Sequence, residues 1–225
     1  MHYKVRNDLS YCVVDGHAVF LDIGADQYFR LPDKVEQAFL AYVSGSDRSR
    51  ATETILIERN ILIPGQGMHR EHPFGEVGTP LRSASEMPLC YGGSAALALP
   101  EVMVTTWRCW QRIATWPLSN VFNEAVRYRA RYCGPLASSG RRGEEGLLRS
   151  VGVFQRARLY VPIETRCLLD SISLFRFLAR RHFHSRLVLG VTNDPFSAHC
   201  WVQARDIVLN DTIGNAMTHT IIKVI

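Results

Sequence analysis

The sequence predicts an α+β protein. It divides into a small N-terminal winged-helix-like module, a helical middle segment, and a C-terminal unit in which one helix packs on an antiparallel sheet. Three observations predict this. Short apolar runs separated by turn residues fill the N-terminal end, and stretches with helical spacing occupy the middle. Towards the C-terminus, an apolar helix-like run opened by Cys167 precedes strand-like runs that carry His199 and lead to Asp211.

The module spans residues 1–65. Tyr11–Val14, Ala18–Asp22 and Gln27–Leu31 read as strands, with Asp15-Gly16 and Gly24-Ala25-Asp26 turning the chain between them. Pro32-Asp33 starts a helix whose Val35, Phe39, Leu40 and Val43 share one face, and Gly45 closes it. A second helix covers roughly Ala51 to Asn60, and Ile61–Gly65 is extended. Residues 66–83, rich in Gly, Pro, His and Glu, read as a linker.

Residues 84–225 form the second unit. Its first part, 84–133, is helical, with a stripe of Trp107, Trp110, Ile113 and Ala114 and another of Val121, Ala125 and Tyr128 as the packing faces. Gly134 to Gly152 is glycine-rich and charged, and is predicted to be a mobile loop. The remaining part, 153–225, holds the Cys167 helix, to about Arg181, and strands at Leu187–Val191, Ala198–Ala204 and Asp206–Asn210.

Composition sets limits on function. A hydrophobic content of 47% supports a sizeable core. No stretch approaches the roughly 18 apolar residues of a membrane helix. The N-terminal residues Met1–Asp8 lack the apolar core of a secretory signal, so a cytoplasmic protein without membrane contact is expected. Six cysteines are scattered without a CxxC pair, which suits neither a disulfide framework nor a zinc ribbon. His182 and His184 have no acidic or cysteine partner that completes a metal site, and His69 and His72 fall in the linker. A net charge of +5 is mild, and the second module helix carries balanced charge rather than a basic stripe, which argues against nucleic acid as a partner.

The chemistry points to Cys167, His199 and Asp211. A cysteine at a helix N-terminus is held towards the thiolate by unpaired backbone N–H groups. A strand-borne imidazole takes its proton, and a carboxylate on the other ring nitrogen fixes the tautomer. Cys167 is therefore the candidate nucleophile, His199 the general base and then acid, and Asp211 the orienting group. The Cys167 backbone N–H is a candidate oxyanion donor. Cys200, next to His199, points to the opposite face of its strand and so to the core.

Residues 167–211 resemble the transglutaminase-like, papain-like cysteine peptidase domain of the lasso-peptide maturation B proteins. The resemblance rests on Cys167-Leu168-Leu169-Asp170-Ser171, Leu187–Val191, Phe196–Val202 and Leu209-Asn210-Asp211. Cys200 departs from it, since the family more often has Ala there. The resemblance implies a leader peptidase of ribosomally made peptide natural products, which frees the core N-terminus for macrolactam closure. It also implies two partners, the precursor peptide and an asparagine-synthetase-like cyclase. ATP is expected at that cyclase and no cofactor here, because the chain lacks a GxxxxGK[ST] loop.

In family members of this length, residues 1–65 correspond to a PqqD-like peptide-recognition domain. The resemblance thus makes the third strand and last helix of the module the leader-docking elements, with Tyr28, Phe29, Arg30, Leu56 and Arg59 as candidate contacts. Two other functions fit the same residues: a transglutaminase-type acyl transferase, and a non-catalytic precursor-binding scaffold.

Overall fold

The computed structural model describes residues 3–47, 49–65, 77–87, 92–133 and 141–225. The chain starts with β1 (Tyr3–Val5) and a meander of β2 (Leu9–Val14), β3 (His17–Asp22) and β4 (Gln27–Arg30). Helices α1 (Asp33–Ser44) and α2 (Arg50–Glu58) follow, and β5 (Leu62–Pro64) returns to pair with β1. Asp15 and Gly16 both take positive φ (51° and 80°), the geometry of a two-residue hairpin turn whose twist matches its strands. Gly45, at φ 75°, ends α1 with its N–H on the Tyr42 carbonyl. Ser49 caps α2 by accepting from the Thr52 N–H. The β1–β5 pair carries no turn signature, and β1 is not among the strands the sequence predicts.

Strand alternation splits the three-stranded sheet between two cores. Ala18 and Phe20 face α1 and α2, where they meet Phe39, Tyr42, Leu56 and Ile61. Val19 and Leu21 face the other way and join Cys12 in the main core of the molecule. The N-terminal module is thus seated on the C-terminal unit through a whole sheet face.

The rest of the chain comprises β6 (Arg82–Ser83), α3 (Ala95–Thr115), α4 (Leu118–Tyr132), α5 (Arg141–Arg158), α6 (Cys167–Ala179), β7 (Arg186–Thr192), β8 (Ser197–Ala204), β9 (Ile207–Val208), α7 (Ile213–Thr218) and β10 (Thr220–Val224). Five strands form one sheet in the order β10-β7-β8-β9-β6, antiparallel except for the β6–β9 pair. α6 is apolar on nearly every side, as a helix enclosed by neighbours must be. It packs against α3, α4 and α5 and against β8 of the sheet. β10 lies against β2, which continues the contact between the two sheets.

Three expectations require correction. The predicted linker ends earlier than residue 83, because Arg82 and Ser83 form a strand of the main sheet. Arg82 is tied there by its guanidinium to Glu144 and Asp206. The predicted mobile loop is a helix from Arg141 onward, since Leu147, Leu148, Val151, Phe154 and Ala157 recur at helical spacing and are buried. Its glycines made it read as a loop, yet Gly146 lets the Phe183 ring approach, to 3.1 Å of where a Cβ would sit. Finally, the Trp107 and Trp110 stripe is about half exposed, and α3 buries Ala98, Val102, Thr105, Thr106 and Cys109 instead. His69, His72, Cys90 and the 134–140 stretch lie outside the described residues. Among those described, no helix is long and apolar enough to cross a membrane.

Candidate active site

Cys167 is the first residue of α6, following an extended Arg166 (φ −140°). It is exposed, whereas Cys12, Cys109 and Cys200 are buried and Cys133 is half-buried. Their thiols respond in opposite senses. Burial pushes Cys12 up to about 12, and raises Cys109, Cys133 and Cys200 as well. Cys167 is lowered, first by its hydrogen bond with His199 and then, against the cost of burial, by the imidazole charge and the N–H groups of Cys200 and Leu168. Among these causes the His199 imidazole comes first and the helix-end N–H of Leu168 last.

His199 lies on β8 with its Nε2 2.5 Å from Asp211 Oδ2. That leaves Nδ1 as the nitrogen for the sulfur. The ring is raised above its ordinary value by the bond with Cys167 and then by Asp211, with burial opposing both. The strand predicted over Asp206–Asn210 is shorter: β9 stops at Val208, and Asp211 lies in the turn before α7. The Thr212 N–H donates to its Oδ1 at 2.8 Å, and Asn215 Nδ2 donates to its Oδ2 at 2.8 Å. The carboxylate is therefore aimed by the first turn of α7, a short helix that Thr212 caps by accepting from the Asn215 N–H.

A second set of polar groups fixes the helix to the strand. β8 is paired with β9 only at Gln203 and Ala204, which leaves the start of that edge open. Ser171, one turn into α6, donates to the Cys200 carbonyl at 2.8 Å. Asn210 donates to Ser171 Oγ at 2.8 Å and accepts the Val202 N–H at 2.7 Å. Sequence reading assigned no role to Ser171 or Asn210, because a serine in an apolar helix and an Asn-Asp turn are ordinary. On the other face of the strand, the His199 ring stacks at 6.2 Å from Trp201 and lies 5.2 Å from His219. Gly190 pairs with His199 across the ladder. A Cβ there would meet His219 Cβ at 2.8 Å and the Trp201 ring at 2.9 Å, so only glycine leaves room for this wall.

The candidate peptide contacts do not share one surface. Phe29 stacks on Phe20 inside the module, with ring centroids 5.2 Å apart. Tyr28 points the opposite way, onto the main core. Arg30 and Arg59 are exposed, and Arg30 bonds to His17 at 2.6 Å and Asn193 at 3.4 Å. Leu56 corrects the expectation: it is fully buried beside Phe39 and Ile61, so it anchors α2 and offers nothing to a ligand. Among the described residues, no group of three or more His, Cys, Asp or Glu side chains is placed to hold a metal ion.

A helix-borne thiol, a strand-borne imidazole and a carboxylate beyond the next strand are the three groups that thiol acyl transfer requires. Residues 121–223, which contain all three, match the family model of the Transglutaminase-like superfamily, and this part of the chain is a domain of that class. The match indicates an activity of cysteine-peptidase or acyltransferase type. No curated protein and no solved structure matches the chain.

Proposed function

We propose that the protein is a cysteine peptidase that removes the leader from a ribosomally made precursor peptide of lasso type, freeing the core N-terminus for ring closure. The observation that carries the chemistry is the Cys167–His199–Asp211 series, in which the thiol is lowered and the imidazole raised. The thiolate attacks the scissile carbonyl, and the oxyanion is met by the Cys167 N–H, which has no partner within its own helix. The His199 imidazolium gives its proton to the leaving amine, and the neutral ring then activates the water that resolves the thioester.

The peptide part of the proposal is supported by β4, which ends its sheet among the described residues and so leaves an edge for an added strand. In this reading Arg30 and Arg59 are leader contacts. An asparagine-synthetase-like cyclase, the site of ATP use, takes the product.

Full-length protein and its Cys167→Ala variant, each incubated with the precursor peptide, test the proposal by mass spectrometry of the products. The wild type is expected to release leader and core, and the variant to bind the precursor without cutting it. Cleavage by the variant would remove the assignment of the nucleophile. A transglutaminase-type reading also fits the domain match, and the same experiment with an added primary amine separates the two. A leader acid indicates hydrolysis, and a leader amide indicates transfer.

A further inference from the structure

Tyr28 lies within electrostatic reach of the Cys167 sulfur, and Phe196, three residues before His199, packs on its ring. Tyr28 lies on β4 opposite Leu21, on the sheet face that meets the main core. Its ring is 5.6 Å from that of Phe196 at 59°. Phe196 closes the β7–β8 turn just before Ser197, close in sequence to His199, and 53% of it is exposed. Arg30, on the same face of β4 as Tyr28, donates to Asn193 of the same turn, so two β4 side chains grip the turn that leads into the catalytic strand.

The Tyr28 phenol makes no hydrogen bond among the described residues, although it is half-buried. Burial raises it well above its ordinary value, and the Cys200 and Cys167 sulfurs add to the rise. The group therefore stays protonated beside the thiol, with a donor unspent. A half-buried tyrosine that keeps a free hydroxyl, next to an exposed phenyl, has the composition of a ligand-pocket wall.

We propose that Tyr28 and Phe196 form the acyl-side wall of the thiol site and select against bulky leader residues next to the scissile bond. The inference rests on the reading that Cys167 is the nucleophile and that the leader, held along β4, supplies the acyl group. Each Tyr28 or Phe196 side chain is then a specificity-determining contact contributed by two units of the fold, so the docking strand also sets which residue is cut after.

Dipeptidyl chloromethyl ketones with glycine or phenylalanine next to the ketone test this on the full chain. The Cys167 thiolate displaces chloride from the methylene carbon, forming a C–S bond. Each rate is divided by the same protein's rate with iodoacetamide, which reads the thiolate alone. The wild type is expected to favour glycine over phenylalanine by about tenfold or more, the scale on which a pocket resolves a few carbons. Tyr28→Ala and Phe196→Ala are expected to shrink that ratio at least about fivefold, and Tyr28→Phe, which keeps the ring, to preserve it. Phe196 is exposed in a turn, so its variant carries the test even if Tyr28→Ala does not fold. An equal ratio in wild type and Phe196→Ala overturns the wall. Failure of iodoacetamide to alkylate Cys167 overturns the underlying nucleophile assignment instead.

Discussion

At the scale of single residues, the site works through charge held between Cys167 and His199. The sulfur's pKa lies below the usual thiol range and the ring's above the usual imidazole range. Both shifts favour the thiolate–imidazolium pair over the neutral thiol and imidazole. As pH falls through the lowered thiol value the sulfur is protonated, and as it rises through the raised imidazole value the ring loses its proton. Leader removal is therefore expected to give a bell-shaped pH–rate profile with these two limbs. Asp211→Asn takes the carboxylate from Nε2, and turnover is expected to fall about a hundredfold or more while precursor binding persists, as a titration would show. The Cys167, His199, Asp211 series was legible from its order and spacing along a helix and the strands that follow, although each residue taken singly is ordinary in its setting. Asn210 and Ser171 were not, since their roles arise only where α6 meets the open edge of β8.

At the scale of elements, the sheet and α6 hold these side chains through close approaches that tolerate little change. Gly190→Ala places a Cβ against the Trp201 ring and His219 Cβ, neither of which has a flexible end to yield. Urea unfolding is expected to show a loss of about 1–3 kcal/mol. Asn210→Ala leaves the Val202 N–H without its acceptor and releases Ser171, and a similar loss of about 1–3 kcal/mol is expected by the same measurement. The meander, α1, α2, α6, β7 and β8 were readable because hairpin turns, caps and apolar runs are local signals. α5 was misread because its glycines serve a neighbour: Gly146 makes way for Phe183, a residue distant in sequence. β1, β6, α7 and β10 are short elements specified by partners elsewhere in the chain.

At the scale of the whole molecule, the N-terminal sheet belongs to two cores at once, and the boundary at residue 65 read from composition is not a boundary in packing. Cys12, Val19 and Leu21 lie in the same cluster as Phe175, Leu189 and Cys200. The full chain is therefore expected to unfold in one transition, with tryptophan fluorescence and far-ultraviolet circular dichroism giving the same midpoint. Separate midpoints would mean that the sheets are independent. Removing residues 1–65 strips one wall from the main core, so it is expected to disturb the triad as well as precursor binding. In the sequence, a strand face buried against a distant unit looks the same as one buried within its own module.

The most direct test of the central claim, that His199 arms Cys167 as a thiolate, is the pH dependence of Cys167 alkylation by iodoacetamide, followed by peptide mapping in wild type and His199→Ala. The account predicts a midpoint below the ordinary thiol value of 9.0 in the wild type, moving upward when the imidazole is removed. A midpoint at the ordinary value that the substitution leaves unmoved would contradict it.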